Sequence, residues 1–280
     1  MLKQRVITAL VLLALLVPAM LATQPLWFDL LTLTLMAAGA WEWSRLQGMA
    51  HWPSVWTGVM LGAVLGLSRW VPQWAPNEAW VAWGAALIWF PGVVWMLKRG
   101  LADWHWVHRG LRLLLGWAVI ALAWWALVFH KVAGLNHLLS VLSLVWAADI
   151  AAYFGGRAWG RRKLAASISP GKTRAGAYTG AVAVWFLGAM WVLWDTQFDL
   201  GSPSIYTLLW QHSPLAWAAG ASCLLVYSVL GDLLESLVKR VAGVKDSSQL
   251  LPGHGGVLDR VDALLPVLPM ALWLMWWVRP

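Results

Sequence analysis

Charge and cysteine are what this chain has least of. Only 11% of its 280 residues are charged, against about a quarter in a soluble globular domain. A water-soluble fold with a charged coat is thereby excluded. The single cysteine, Cys223, sits inside an apolar run, so neither a disulfide framework nor a cysteine metal centre can form. No internal repeat is present, and no polar stretch is long enough to make a separate soluble domain.

What the chain has in abundance is apolar sequence, 61% of the residues. A bilayer-spanning helix needs about 20 such residues. Nine runs qualify, roughly 6–23, 26–43, 55–71, 79–97, 111–129, 136–155, 175–194, 214–238 and 261–278. The expectation is an all-α polytopic membrane protein in one unit, residues 1–280. Within it, helices of 1–130 precede the helices and loops of 136–280 that carry the chemical motifs. The first run follows Lys3 and Arg5 but is long for a signal core, and it is expected to be a retained helix. Of the 26 tryptophans, Trp41, Trp43, Trp70, Trp74, Trp276 and Trp277 fall near span ends, where indole suits the headgroup layer. Trp124 and Trp125 read as packing or lipid-facing residues.

With the amino terminus inside, every Lys and Arg except Arg69, Lys131 and Arg279 falls on the inner side. That asymmetry predicts a cytoplasmic amino terminus. It concentrates the net charge of +8 on one face, suited to polyanions from the cytosol and to anionic lipid. No nucleic-acid partner is expected. Glu42, Asp149, Asp232, Glu235, Asp259 and Asp262 fall on the same side, whereas Asp195 and Asp199 lie in the outer loop 195–213 and read as ordinary solvated residues.

The densest chemistry is Ser236–Asp262, SLVKRVAGVKDSSQLLPGHGGVLDRVD. Ionisable groups beside apolar spans are costly to place and mark a functional site. On a helix, Asp232, Glu235, Ser236 and Lys239 share one face. Asp259 and Asp262 form a second pair at the start of the last run. Carboxylates crowded at one mouth would repel by about 4 kcal/mol per pair at 4 Å and an effective dielectric near 20. Either a divalent cation or a network of salt bridges answers that repulsion, and spacing alone does not choose. Pro252-Gly253-His254-Gly255-Gly256 is a glycine-rich turn into a helix start, where free N–H groups favour anions. Lys239, Arg240, Lys245 and Arg260 flank it. His254 fits either a polar turn or a catalytic role.

A second segment runs Asp149…Tyr153…Gly155-Gly156-Arg157, then Ser169-Pro170-Gly171-Lys172-Thr173. The Gly-Lys-Thr triplet is not a phosphate loop, because Ala166 replaces the required glycine and no strand precedes it. Lys172 remains a phosphate-contact candidate. Asp149 could equally pair with Arg157.

The run Ser236-x2-Lys239-Arg240-x4-Lys245-Asp246-x-Ser248-x2-Leu251-Pro252-x-His254-Gly255-Gly256-x2-Asp259-Arg260-x-Asp262 resembles the signature of the phosphatidate cytidylyltransferase (CDP-diacylglycerol synthase) family. The inner-loop segment resembles that family's other conserved loop, except that Arg174-Ala175 stands where members often carry Trp-Glu. The resemblance implies an Mg²⁺-dependent enzyme joining CTP and phosphatidate into CDP-diacylglycerol and pyrophosphate. It also allows a second, monovalent cation and a homodimer among membrane lipids, in a bacterial inner membrane with the site facing the cytoplasm. Carried over by position, Asp232 and Asp259 would hold the metal, with Lys239 and His254 also catalytic. Asp149, Arg157, Lys172, Ser236, Arg240, Lys245, Asp246, Gly255, Gly256, Arg260 and Asp262 would bind substrate.

Other readings fit less well. A transporter of an anionic solute would be expected to show related halves and a midplane site. A CDP-alcohol phosphotransferase would carry an Asp-Gly-x2-Ala-Arg run, which is absent. A cytidylyltransferase for another lipid phosphate differs too little in sequence to separate.

Overall fold

The computed structural model describes residues 2–99 and 104–279. The helices are α1 (Leu2–Leu21), α2 (Pro25–Leu46), α3 (His51–Trp70), α4 (Glu78–Arg99), α5 (Arg109–Ala133), α6 (Leu135–Trp159), α7 (Arg174–Gln197), α8 (Ile205–His212), α9 (Pro214–Val241), α10 (Leu258–Val261) and α11 (Leu264–Val278). Every apolar run of the sequence is helical, as expected. The count of nine spans is nevertheless not reached. Among the described residues, six units are long and apolar enough to cross a bilayer: α1, α5, α6, α7, α9 and the α10–α11 unit. A seventh exists only if His51–Trp70 and Pro72–Gly92, bent by 115° at Pro72, are taken together. Of the two helices left, α8 has only eight residues, and α2 carries Asp29, Glu42 and Arg45 within 22 residues.

Packing centres on α11, whose residues Leu265–Leu272 are all buried against α4, α5 and α9. Trp124 and Trp125 prove to be packing residues, at 0% and 6% exposure, and the Trp124 indole donates to Thr32 Oγ1. Trp43 is likewise buried instead of lying in a headgroup layer, because its Nε1–H donates to the Arg112 carbonyl at 3.0 Å. His130 and His137 stack with a nitrogen–nitrogen distance of 3.1 Å and reach the carbonyls of Leu268 and Pro203, tying α5 and α6 to α11.

Glycine sets the closest helix approaches. On α6 and α7, Gly155 lies against Thr179 and Gly176 against the Ala152 carbonyl. Where α9 meets the α10–α11 junction, a Cβ on Gly231 would fall 2.8 Å from the Pro266 ring and strike the Asp262 carbonyl.

Two expectations need correction. Asp195 is no ordinary solvated residue. It accepts from Asn136 Nδ2 at 2.9 Å, Ser204 N at 2.7 Å and Thr207 Oγ1 at 2.6 Å, and so caps the start of α8 within the loop. The α6–α7 connection is not plain loop either. It folds as a hairpin, β1 (Lys163–Ala165) against β2 (Ser169–Thr173), antiparallel with Lys163 opposite Thr173. The Gly171-Lys172-Thr173 triplet thus belongs to a strand edge, and Thr173 Oγ1 caps α7 through Gly176 N at 3.1 Å.

Replacing Gly231 with Val should force α9 off the α10–α11 junction at a cost of about 1–3 kcal/mol. A lower thermal midpoint of the purified protein in detergent is the expected result.

Candidate active site

The loop between α9 and α10 is built around two carboxylates. Glu42, fully buried on α2, accepts from Ser248 Oγ at 2.5 Å, Ser247 Oγ at 3.1 Å, Val257 N at 2.9 Å and Leu258 N at 2.8 Å. Asp259 accepts from Gly256 N at 2.8 Å and from Ser247 N and Oγ, both at 2.9 Å. The helix start that the sequence presents as open to an anion is therefore already occupied, and its anion is Glu42. Each bond to a charged partner is worth roughly 1.5–3 kcal/mol. An unpartnered N–H inside the bundle would cost a comparable amount, which is why a side chain from a distant helix fills the position.

The turn before it is closed by Leu251 N donating to Gly255 O and His254 N to Leu251 O, both at 2.8 Å. Gly253 and Gly255 take φ of 76° and 84°, a region open chiefly to glycine. Gly256 is glycine for packing: a Cβ there would strike Ser247 Oγ and Glu42. Gly255 and Gly256 thus hold the loop's shape around Asp259.

The α9 stripe forms as its spacing predicts. Ser236 Oγ donates to Asp232 Oδ1 at 3.2 Å, and Lys239 pairs with Glu235 one turn back. Lys239 also pairs with Asp259 at 2.5 Å. At 13% side-chain exposure it is a link between α9 and α10 with two carboxylates already on its ammonium. Asp232 faces the other way. Its Oδ2 pairs at 2.8 Å with Lys172 of β2, which also donates to the Val229 carbonyl at 3.3 Å. Asp232, Lys172, Asp149, Gly171 and Thr173 line one cavity of about 300 Å³. Asp149 feels Asp232 and Lys172 there, while Arg157 reaches the Tyr153 hydroxyl at 3.5 Å. Asp262 faces Asp232 from the α10–α11 junction and caps Ala263 N at 2.7 Å.

The other basic residues of the motif stand open. Arg240, Lys245 and Arg260, with the carboxylate Asp246, are exposed, and Arg260 braces the turn by donating twice to the His254 carbonyl, at 3.0 and 2.6 Å. His254 Nδ1 is buried without a partner among the described residues. Glu42 and Ser247 were not among the sequence candidates for the site. The only hint was a carboxylate inside the apolar run Ala-Trp-Glu42-Trp.

Among the described residues no three His, Cys, Asp or Glu side chains form a ready metal cage. Mg²⁺ does not need one, since it is held by one or two carboxylates and completes its shell with water and phosphate oxygens. Asp232, 33% exposed beside Asp149, fits that role. Asp259, 6% exposed, meets a cation only by exchanging Lys239 for it.

Residues 3–278 match the family described as the cytidylyltransferase family. The chain belongs to that family. It is 36% identical to a phosphatidate cytidylyltransferase of Pseudomonas aeruginosa over the full length of both chains. It is 32% identical to one from Haemophilus influenzae over 96% of both. A Bacillus subtilis phosphatidate cytidylyltransferase is 39% identical over 51% of this chain and 48% of its own. The first two of these relatives match over essentially the whole chain.

Glu42→Gln keeps the size of the side chain but turns an NH₂ toward N–H donors. It should loosen the Ser247–Leu258 segment by about 1.5–3 kcal/mol per lost bond. Faster trypsin cleavage after Lys245, mapped by mass spectrometry, is the expected readout; unchanged cleavage would remove Glu42 as the anchor.

Proposed function

We propose that the protein transfers the cytidylyl group of CTP to phosphatidate, giving CDP-diacylglycerol and pyrophosphate. One observation carries this reading. The motif-bearing helix α9 and the β1–β2 hairpin meet at a cavity where Lys172, Asp232 and Asp149 converge, in a chain related over nearly its whole length to proteins named for that reaction.

The chemistry asks little of a general base. A phosphatidate oxygen, already anionic, attacks the α-phosphorus of CTP in line, and the bond to the pyrophosphate oxygen breaks. Repulsion between two anions and charge on the leaving group are the main obstacles, and preorganised cations act on both. Lys172 is placed to meet a phosphate at the cavity, releasing Asp232. Arg240, Lys245 and Arg260, exposed at the loop, suit the polyphosphate, and Arg157 the rim of the cavity. Ser236 and the unpartnered His254 Nδ1 suit positioning of substrate or leaving group, with Asp246 and Asp262 orienting the cations. Asp232 and Asp259 would hold Mg²⁺, and Lys239, which pairs with Asp259 in this structure, would suit a phosphate. Bound there, the ion would neutralise phosphate charge and polarise the reacting phosphoryl group. A monovalent cation beside it, a homodimer and a site facing the cytoplasm from a bacterial inner membrane complete the reading.

Labelled CMP transfer from CTP, tried against a panel of lipid phosphates, tests the activity; equal or better use of a lipid other than phosphatidate would reassign the substrate. Asp259→Asn should lower transfer by about 100-fold or more while the protein still inserts and purifies normally. Excess chelator should abolish transfer and added Mg²⁺ restore it. Turnover that survives the chelator would contradict the metal assignment.

A further inference from the structure

A second cavity lies on the opposite side of the same α9 segment. Its volume is about 390 Å³, and it is walled by α4, α5, α9 and the α10–α11 unit. The lining is almost wholly apolar, with Trp43, Trp89 and Trp104 prominent. At one end it meets Gly231, Glu235 and Asp262, which flank Asp232 in sequence or face it in space. At the other it reaches Leu87 and Leu111, which are 75% and 50% exposed on the outside of the bundle. The cavity thus runs from the lipid-facing surface to the rear of the carboxylate cluster.

Two of its walls hold unmet donors. Trp89 and Trp104 are 4% and 6% exposed, and neither Nε1–H has a hydrogen-bond partner among the described residues. Trp41, Trp217 and Trp273 are also unpartnered, but they do not line this space. A buried indole N–H ordinarily finds an acceptor, and leaving one unsatisfied costs about 1–3 kcal/mol. The carboxylates of the lining, Glu235 and Asp262, accept from neither indole, and the rest of the lining is hydrocarbon and aromatic ring. An occupant that answers both features carries a long apolar chain and a neutral carbonyl oxygen.

We infer that this cavity takes one acyl chain of the lipid phosphate, with the ester carbonyl accepting from the indole N–H groups of Trp89 and Trp104. The inference rests on the lipid-phosphate reading above and deepens it. Residues 231–235 of α9 then divide an amphiphilic substrate between the cavity that holds Lys172, Asp232 and Asp149 and the apolar one. The ester linkage is what the indoles recognise, so an ether-linked lipid of the same length is the discriminating probe.

Purified enzyme should use diacyl phosphatidate about tenfold better, in kcat/KM, than the dialkyl ether analogue. Trp89→Phe and Trp104→Phe keep an aromatic ring and remove the donor. Each should reduce that preference by lowering kcat/KM for the diacyl lipid alone, with KM for CTP and the thermal midpoint unchanged. Equal use of both lipids by the wild-type enzyme would overturn the inference, as would variants that lose both substrates alike. A separate measurement does not depend on turnover. Phosphatidate bearing a diazirine on one acyl chain, in phosphatidylcholine micelles, should label Ile120 and Leu234 inside the cavity. Unlabelled phosphatidate should compete, and added phosphatidylcholine should not. Labelling confined to outward helix faces, or competition by both lipids, would mean that the space holds bulk lipid. Absence of CMP transfer to either lipid would instead count against the proposed activity, and the labelling pattern would still decide the cavity.

Discussion

The site's architecture depends on one buried carboxylate. Glu42 gathers two serine hydroxyls and two backbone amides across a sequence separation of 205 to 216 residues. No lysine or arginine shares it among these contacts; its charge is held by dipoles alone, those of the α10 start included. Because Ser247 bonds to both Glu42 and Asp259, the position of α2 is transmitted directly to a carboxylate of the motif. The amino-terminal helices are thereby part of the site's framework as well as its membrane anchor.

A similar economy governs the cations. Lys239 and Lys172 each neutralise carboxylates of α9 while joining it to a different element, α10 in one case and β2 in the other. Taking either lysine away without a substitute would leave an uncompensated charge in a poorly solvated place, which is strongly unfavourable. The two lysines therefore keep the carboxylates of α9 and α10 neutralised in this structure, and under the proposed reaction a phosphate and a cation would have to replace them together.

Much of the fold was legible because apolar length and helical spacing are local properties. The nine runs became helices, and the pairs Asp232–Ser236 and Glu235–Lys239 formed one turn apart as their intervals require. Span number was less legible: Asp29, Glu42 and Arg45 dilute α2, and Pro72 turns the chain sharply between two shorter helices. The hairpin escaped notice because Lys163–Ala165 is only three residues long and Ser169–Thr173 carries Pro170 and Gly171, so neither shows alternation. The partner of the α10 start could not be read at all. Ser247, Val257 and Leu258 look ready for an external anion until a side chain from the other end of the chain is placed among them. Asp195 misled for the same reason, since its acceptors' partners, Asn136 and Thr207, come from separate helices.

The glycine-lined contact of α6 with α7 has a bearing on how the site moves. Gly176 brings the α7 backbone against the Ala152 carbonyl of α6 and Gly155 makes room for the Thr179 side chain, and Thr173 fastens the hairpin to the head of α7. Such a joint leaves little slack for hinge bending. Lys172 therefore sits on a closely packed support, and under the proposed reaction an exchange of aspartate for another anion would ask only its four methylenes to turn.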